Sequence, residues 1–136
     1  MALTNERSNR FYFLLGKNIK KIGSSAFLSC TKLQQINLPN TLTEISRHAF
    51  SNCSSLEKIV IPDNIKNIEP YTFYSCEKLK EIILPSSLEY VGEAAFAFCR
   101  NIVSLSFSNK LKIVEDKAFS SCVQLKNVNL PDSLIS

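Results

Sequence analysis

IGSSAFLSCTKLQQINLPNTL, residues 22–42, is a stretch that the chain repeats several times in close copies. Its phenylalanine recurs every 23 residues, at Phe27, Phe50, Phe73, Phe96 and Phe119. Its cysteine recurs with the same step, at Cys30, Cys53, Cys76, Cys99 and Cys122. No insertion or deletion interrupts either series. A fixed period of this length is typical of a solenoid, in which each coil buries its apolar side against its neighbours.

Aligning the copies at this step shows further positions that stay apolar. Their first members are Ile19, Ile22, Leu33, Ile36 and Leu38. These columns predict an interior that runs the length of the stack. A single copy leaves that apolar surface uncovered, so we expect it not to fold alone.

Two local patterns divide each repeat. Ile36-x-Leu38 alternates with the period of a strand, and Pro39 closes that strand, as does a proline in every later copy except at Ser108. The spacing of Phe27, Cys30 and Leu33 instead predicts a short helical or 3₁₀ turn. Pro70 at its first position, with acidic residues in the same column of later copies, is typical of a helix start.

Composition narrows the class of protein. The chain has 136 residues, is 45% hydrophobic and 21% charged, and carries a net charge of +4 with both signs scattered. That balance favours a folded domain and lacks the basic stripe of a nucleic-acid binder. No apolar run approaches the roughly 20 residues that cross a bilayer. The sequence therefore predicts neither nucleic-acid binding nor direct membrane insertion.

Localisation is left open by the sequence. The apolar run at residues 11–15 is too short for a signal-peptide core, and no small-residue cleavage site follows it. Either the protein is intracellular, or this chain is a piece of a protein whose targeting segment lies elsewhere.

The domain prediction is one solenoid with a divergent start. One period before Ile36 and Leu38 lie Phe13 and Leu15, so residues 10–16 are interpreted as a degenerate first strand. Residues 1–18 are predicted to form an N-terminal capping coil and residues 19–136 a five-repeat solenoid whose last repeat is incomplete. An uncovered edge at the end of such a stack invites pairing with another chain. We therefore expect either self-association through the ends or an excerpt from a longer array.

The pattern C-x-x-L-x-x-I-x-L-P-x-x-L-x-x-I-x-x-x-A-F, as in residues 30–50, resembles the BspA-like class of leucine-rich repeats. The resemblance covers residues 19–136 and implies a curved repeat solenoid of the leucine-rich-repeat type, with stacked parallel short strands lining one face. It also implies a surface or secreted protein of bacteria or parasitic protists that adheres to host matrix or to other cells.

The reactive residue types in the sequence do not form a recognisable catalytic or metal-binding pattern. The five cysteines match no zinc spacing, and the stacked arrangement predicts a ladder of buried, reduced thiols. The lone His48 shares a variable column with Ser25 and Tyr71, which is typical of an exposed turn. No nucleophile, phosphate-binding or paired-carboxylate motif occurs. The sequence predicts no enzyme activity, no catalytic residue, no cofactor and no metal.

The strand-lined face is the predicted partner-binding surface. Its outward positions flank the buried isoleucine of each strand and vary while the core columns stay fixed. These positions are Tyr12, Leu14, Gln35, Asn37, Lys58, Val60, Glu81, Ile83, Ser104, Ser106, Asn127 and Asn129. Val60, Ile83 and the nearby Val103 predict an exposed apolar patch, which is typical of a contact site.

Two classes of function remain open from the sequence. The first is a non-enzymatic protein-binding or adhesion module that engages an extracellular-matrix or cell-surface protein through the strand face. The alternative is a structural element that assembles through the ends of the solenoid. A second ridge, which carries Lys20, Lys66, Glu89, Tyr90 and Lys112, is interpreted as a solvated face.

Overall fold

Two rows of parallel strands run along the molecule and confirm the predicted solenoid. The computed structural model describes residues 2–5 and 10–135, with side chains from residue 15 onward. The strands at or just after each Leu33-type position form the long-strand row, which an antiparallel strand, β1 (Ala2–Asn5), extends at the N-terminal end. The parallel strands of this row are β2 (Arg10–Leu14), β4 (Leu33–Asn37), β6 (Lys58–Val60), β8 (Glu81–Ile83), β10 (Ser104–Ser106) and β12 (Asn127–Asn129).

Two-residue strands form the second row, called here the short-strand row. They are β3 (Lys21–Ile22), β5 (Glu44–Ile45), β7 (Asn67–Ile68), β9 (Tyr90–Val91) and β11 (Ile113–Val114). Each row is interrupted once. The long-strand row divides into β1-β2-β4-β6-β8 and β10-β12, and the short-strand row into β3-β5 and β7-β9-β11.

The pairing register between parallel strands equals the sequence period, except at Phe11, which pairs with Leu33 before the register shifts at Tyr12. Lys58 pairs with Glu81 and Ile59 with Ile82, each 23 residues on. At the N-terminal end Phe13 pairs with Ile36, which confirms the predicted degenerate strand. The sequence did not predict β1, which forms an antiparallel hairpin with β2. The assignment of residues 1–18 as a cap stays a prediction.

The phenylalanine column forms the centre of the interior. Rings of successive coils stack with centroids 5.2–5.8 Å apart and planes within 11° of parallel. Phe50, Phe73 and Phe96 have no exposed surface. Like residues therefore lie directly on one another, as the stacked-coil prediction requires.

The segment predicted as a helical or 3₁₀ turn contains i→i−3 bonds of the 3₁₀ type, but these turns do not continue into a helix. In the described residues this segment is a chain of turns in which alternate N–H groups bond within the coil and to the next coil. The N–H of Ala26 donates to Gly23 at 3.2 Å, whereas that of Phe27 donates to Ala49, in the following coil, at 2.8 Å. A helix directs every N–H back along its own chain, so it cannot form this inter-coil ladder.

Left-handed residues produce this alternation. Ten non-glycine residues have φ between 52° and 62° and recur in two columns. The columns contain Ser25, His48, Tyr71, Ala94 and Lys117, and Ser29, Asn52, Ser75, Phe98 and Ser121. A single left-handed residue breaks a right-handed turn, and this conformation is costly for bulky side chains. The inter-coil hydrogen bonds hold these residues in it.

Side-chain hydrogen bonds also join the coils and explain the missing proline at Ser108. In the column of Thr41 and Ser87, hydroxyls donate to carbonyls of the preceding coil, as Thr41 does to Ile19 at 2.7 Å. Lys110 occupies this column in the fourth copy and has no hydroxyl. The Ser108 hydroxyl donates to the Ser86 carbonyl at 2.7 Å instead. Serine in place of proline thus restores a link between these coils.

Gly92 is predicted to be intolerant of a side chain. A Cβ built at Gly92 would lie 2.5 Å from the Pro70 nitrogen and 2.9 Å from the Glu69 carbonyl carbon, and neither backbone atom moves easily. We expect Gly92→Ala to lower the free energy of unfolding by about 1–3 kcal/mol, as overpacking does elsewhere. Urea denaturation followed by circular dichroism measures it.

Gly23 provides the matched control because it occupies the same column and has nothing within 4 Å of its added Cβ. Gly23→Ala should change the free energy of unfolding by no more than about 0.5 kcal/mol. Equal losses in the two variants would show that the contact with Pro70 is not what constrains Gly92.

Candidate interaction face

The long-strand row places the predicted face residues in two columns on either side of the Ile36-type residue of each strand, which is buried in β4, β6 and β10, partly buried in β8 and exposed in β12. Pairing joins Gln35 to Lys58 and Lys58 to Glu81 on one side, and Val60 to Ile83 on the other. Beyond the interruption after β8, Ser104 pairs with Asn127 and Ser106 with Asn129. The face is therefore divided into two blocks.

Exposure of these positions follows the predicted alternation. Gln35 is half-buried, and the remaining described members are exposed. They are Asn37, Lys58, Val60, Glu81, Ile83, Ser104, Ser106, Asn127 and Asn129. Tyr12 and Leu14 lie in β2, outside the residues whose side chains the structure describes, and only their pairing with Gln35 and Asn37 is known.

The apolar patch lies in the first block. Val60 and Ile83 are neighbours across the β6–β8 pair and each is 46% exposed. Val103, in the next coil, is 49% exposed. Exposed aliphatic side chains on a fixed backbone offer apolar area to a partner at little entropic cost.

Charge on the face is internally compensated. The Lys58 ammonium lies 3.6 Å from a Glu81 carboxylate oxygen, and both side chains are about half exposed. An exposed pair of this kind contributes no more than about 1 kcal/mol to stability. Either group is therefore available to a partner.

A shallow groove of about 410 Å³ opens between β4 and β6, lined by residues 35–38 and 58–60. These two strands are bridged only between Gln35 and Lys58, which leaves room between them. The groove adjoins Val60, so the apolar patch and the groove form one surface.

The cysteine ladder lies inside the stack, away from this face. Cys53, Cys76 and Cys99 have no exposed surface, and all five thiols are free. The Cys76 thiol donates to the Phe50 carbonyl at 3.1 Å, and the neighbouring thiols repeat this contact. Burial raises the pKa of the Cys53 thiol to about 12 and raises that of Cys76 well above its ordinary value. The predicted ladder of buried thiols is confirmed for these three cysteines, whereas Cys30 and Cys122 at its two ends are only partly buried.

His48 does not sit on a plain exposed turn. It is half-buried, and its ring stacks on Tyr71 with centroids 4.9 Å apart. Across residues 2–5 and 10–135, no group of three or more metal-binding side chains converges. In the same described part of the chain, no helix is long and apolar enough to span a bilayer.

Comparison with known proteins identifies the repeat. A family description for the BspA type leucine rich repeat region matches residues 7–126 and 91–136. The chain belongs to this family. A search of curated proteins gave no match to the sequence.

Solved structures of bacterial leucine-rich repeat proteins share the fold of this family member. A leucine-rich repeat protein from Bacteroides ovatus is 30% identical, with a TM-score of 0.87 over 98% of this chain and 40% of its own. A leucine rich cell surface protein from Faecalibacterium prausnitzii is also 30% identical, with a TM-score of 0.74 over 81% of this chain and 29% of its own. The T. pallidum leucine-rich repeat protein is 26% identical, with a TM-score of 0.79 over 97% of this chain and 80% of its own.

The chain thus spans well under half the length of the first two structures. BspA-type leucine-rich repeats are scaffolds rather than enzymes, and proteins of this architecture generally serve as protein-interaction modules.

Proposed function

We propose that this BspA-type repeat binds a protein partner through the long-strand row, with the Val60–Ile83 patch as the central contact. The observation that supports the proposal is the pair of half-exposed aliphatic side chains held in register beside a groove. Binding energy at protein interfaces concentrates in such central apolar contacts, which a polar rim surrounds. Asn37, Ser104 and Ser106 supply polar groups of that kind.

The area required is compatible with one face of the molecule. A standard interface covers about 800 Å² of each partner. The described chain exposes 7657 Å² in total, so an interface of this size would occupy about a tenth of the surface. A row of strands spanning the coils offers that area without any change in backbone conformation.

Adhesion is the specific form of binding that we propose. The support is the resemblance to surface adhesins and the description of the F. prausnitzii relative as a cell surface protein. The corresponding partner is an extracellular-matrix or cell-surface protein.

The test uses purified chain and a panel of immobilised matrix proteins, including collagen, fibronectin and laminin, read by surface plasmon resonance. Val60→Ser with Ile83→Ser should weaken binding at least about tenfold, because it removes the central apolar contact. Lys58→Glu with Glu81→Lys preserves the ion pair but reverses its polarity, and should change affinity without unfolding the chain.

The matched control exchanges Glu89 and Lys112 in the short-strand row, whose side chains form a similar ion pair at 3.0 Å. This double variant should bind as the wild type does. Binding that none of the strand-face variants weakens, or the absence of binding across the panel, would contradict the proposed adhesion.

Self-association through the ends of the solenoid is the alternative function. Val128 and Leu130 of the last described coil are 37% and 47% exposed, whereas their counterparts Leu105 and Phe107 are 4% and 6% exposed beneath the next coil. A further coil, either of the same protein or of another copy, would cover them by the same stacking. Sedimentation velocity at increasing concentration tests this alternative, and a monomer throughout would count against it.

A further inference from the structure

The short-strand row lacks one step of its hydrogen-bond ladder. Between β7 and β9, the Lys66 carbonyl accepts from the N–H groups of Glu89 and Tyr90, and the Ile68 carbonyl accepts from Gly92. The same three bonds recur between β3 and β5 and between β9 and β11. Between β5 and β7 none of the three is formed.

The groups left without these bonds are polar backbone atoms. They are the carbonyls of Thr43 and Ile45 and the N–H groups of Lys66, Asn67 and Glu69. Backbone donors and acceptors are bonded almost everywhere in folded proteins, to protein, to water or to a ligand. An interruption at one step of an otherwise regular ladder therefore marks a position where such groups are available.

Pro70 accompanies the interruption. A proline restricts the preceding residue, here Glu69, to extended conformations. Its ring also lies against the backbone at Gly92, where a Cβ would approach its Cδ to 2.8 Å. The proline ring thus packs against the following coil, while the Pro70 carbonyl accepts from the His48 N–H of the preceding coil at 3.2 Å.

Two adjoining grooves lie at the interruption. One has a volume of about 510 Å³ and the other about 750 Å³, and both are lined by Glu44, Asn67 and Glu69. Ligand sites in proteins commonly have volumes of about 300–1,000 Å³ and contain a few converging polar groups. Lys66 lines the first groove, and Arg47, Pro70 and Tyr90 line the second.

The lining defines the chemistry of the ligand. The lining carries charges of both signs, the carboxylates of Glu44 and Glu69 and the cations of Lys66 and Arg47, and Glu44 is also paired with Lys21 at 3.3 Å, so neither sign dominates the site. Carboxylates accept hydrogen bonds, and Asn67 both donates and accepts them. A ligand that fits must be neutral and must supply donors and acceptors together, as a row of hydroxyl groups does.

We propose that this groove binds a neutral oligosaccharide, whose hydroxyl groups bond to Glu69, Asn67 and the open backbone groups while a sugar ring lies against Tyr90 and Pro70. Aromatic side chains combine a flat apolar surface with a polar tip, which suits a ring that carries hydroxyls. The Tyr90 hydroxyl, like any tyrosine hydroxyl, is protonated at neutral pH and can donate a hydrogen bond.

Other ligand classes fit the groove less well. A phosphate or sulfate group would meet two carboxylates, and a polyamine or basic peptide would meet Arg47 and Lys66. A peptide needs apolar pockets for alternate side chains, whereas this lining is largely polar. A neutral polyhydroxylated chain avoids each of these penalties.

The test titrates the ¹⁵N-labelled chain with linear neutral oligosaccharides of the malto-, cello-, manno- and xylo- series. Binding should shift the amide resonances of Lys66, Asn67 and Glu69. In the Glu69→Gln and Asn67→Ala variants the affinity for the oligosaccharide should fall about tenfold. Glu69→Gln removes a hydrogen bond to a charged carboxylate, and Asn67→Ala removes the hydrogen bonds of the side-chain amide. Isothermal titration calorimetry measures that loss.

Glu115→Gln is the matched control, because Glu115 lies in the column of Glu69 where the ladder is intact. It should leave the affinity unchanged. The proposal is overturned if no neutral oligosaccharide binds at millimolar concentration, if Glu69→Gln and Asn67→Ala bind as the wild type does, or if only sulfated glycans or peptides bind. The strand-face variants Val60→Ser and Ile83→Ser should keep full glycan affinity, so this proposal and the proposed protein binding fail independently.

Discussion

Phe73→Ala should lower the free energy of unfolding by about 3–5 kcal/mol, the range found for other large-to-small changes in protein cores. Phe73 has no exposed surface and stacks between two rings, with centroids 5.5 Å from Phe50 and 5.6 Å from Phe96. Removing the ring leaves a cavity between two coils, and the inter-coil hydrogen bonds that flank it keep those coils from closing the gap. Urea denaturation at equilibrium measures the change.

The surface change Val60→Ala is the control for this substitution. Val60 is 46% exposed, so its truncation should cost no more than about 0.5–1 kcal/mol. A loss below about 1 kcal/mol for Phe73→Ala would contradict the stacked core. Phe119→Ala should lower the free energy of unfolding by an amount between those of Val60→Ala and Phe73→Ala. The Phe119 ring is only partly buried and stacks on one neighbour of its column, Phe96.

The sequence determined the stacking because the period never changes. Because no insertion or deletion occurs, residues that are 23 apart become neighbours in adjacent coils. The stacking therefore predicts pairs such as Lys58–Glu81 and Ser104–Asn127. Strand alternation then assigns Val60 and Ile83 to the outside and Ile59 to the interior. Several copies in register therefore identify which positions face the interior and which face the outside, and a single copy of the motif could not do so.

The inter-coil bonds of the turn segment were not predicted, because the left-handed residues that produce them cannot be recognised from residue type. Left-handed positions usually signal themselves through glycine or asparagine. Here one such column contains Ser25, His48, Tyr71, Ala94 and Lys117, and inter-coil bonds impose the conformation. Spacing alone fits a helix and a chain of turns equally well, since both bring every third residue to one side.

The groove in the short-strand row could not be predicted from the sequence either. It arises where two copies with the same apolar pattern fail to pair, and such a failure depends on backbone geometry between coils. The one local signal was the Glu69–Pro70 pair, which the sequence analysis assigned to a helix start. Lys66 and Tyr90 were interpreted there as part of a solvated ridge, yet they line this groove.

Alkaline pH should destabilise the protein, because above about pH 8.5 the buried thiols stay protonated in the folded state while the same thiols ionise in the unfolded chain. Burial raises the pKa of Cys53 to about 12 and also raises the pKa values of Cys76 and Cys99. In the unfolded chain a cysteine titrates near pH 8.5. The folded state therefore holds more protons above that pH, and stability falls as pH rises.

The expected loss is large because three thiols contribute together. Each thiol lowers the free energy of unfolding by about 1.4 kcal/mol for every pH unit above its pKa in the unfolded chain. The three thiols together therefore lower it by roughly 4–6 kcal/mol between about pH 8 and pH 10. Below about pH 8 the thiols do not make stability depend on pH. Above that pH the stability continues to fall until the thiols ionise in the folded state as well. Urea denaturation at a series of pH values, with a reducing agent present, measures the dependence.

Cys76→Ala separates the thiols from the lysines and tyrosines that titrate in the same range. The variant has one buried thiol fewer, so its stability should fall by about 1.4 kcal/mol less per pH unit than that of the wild type. The lysine and tyrosine contributions are common to both chains and cancel in the difference. Equal slopes in the two proteins would show that the Cys76 thiol does not contribute, and that the column is open enough for a thiolate to be solvated.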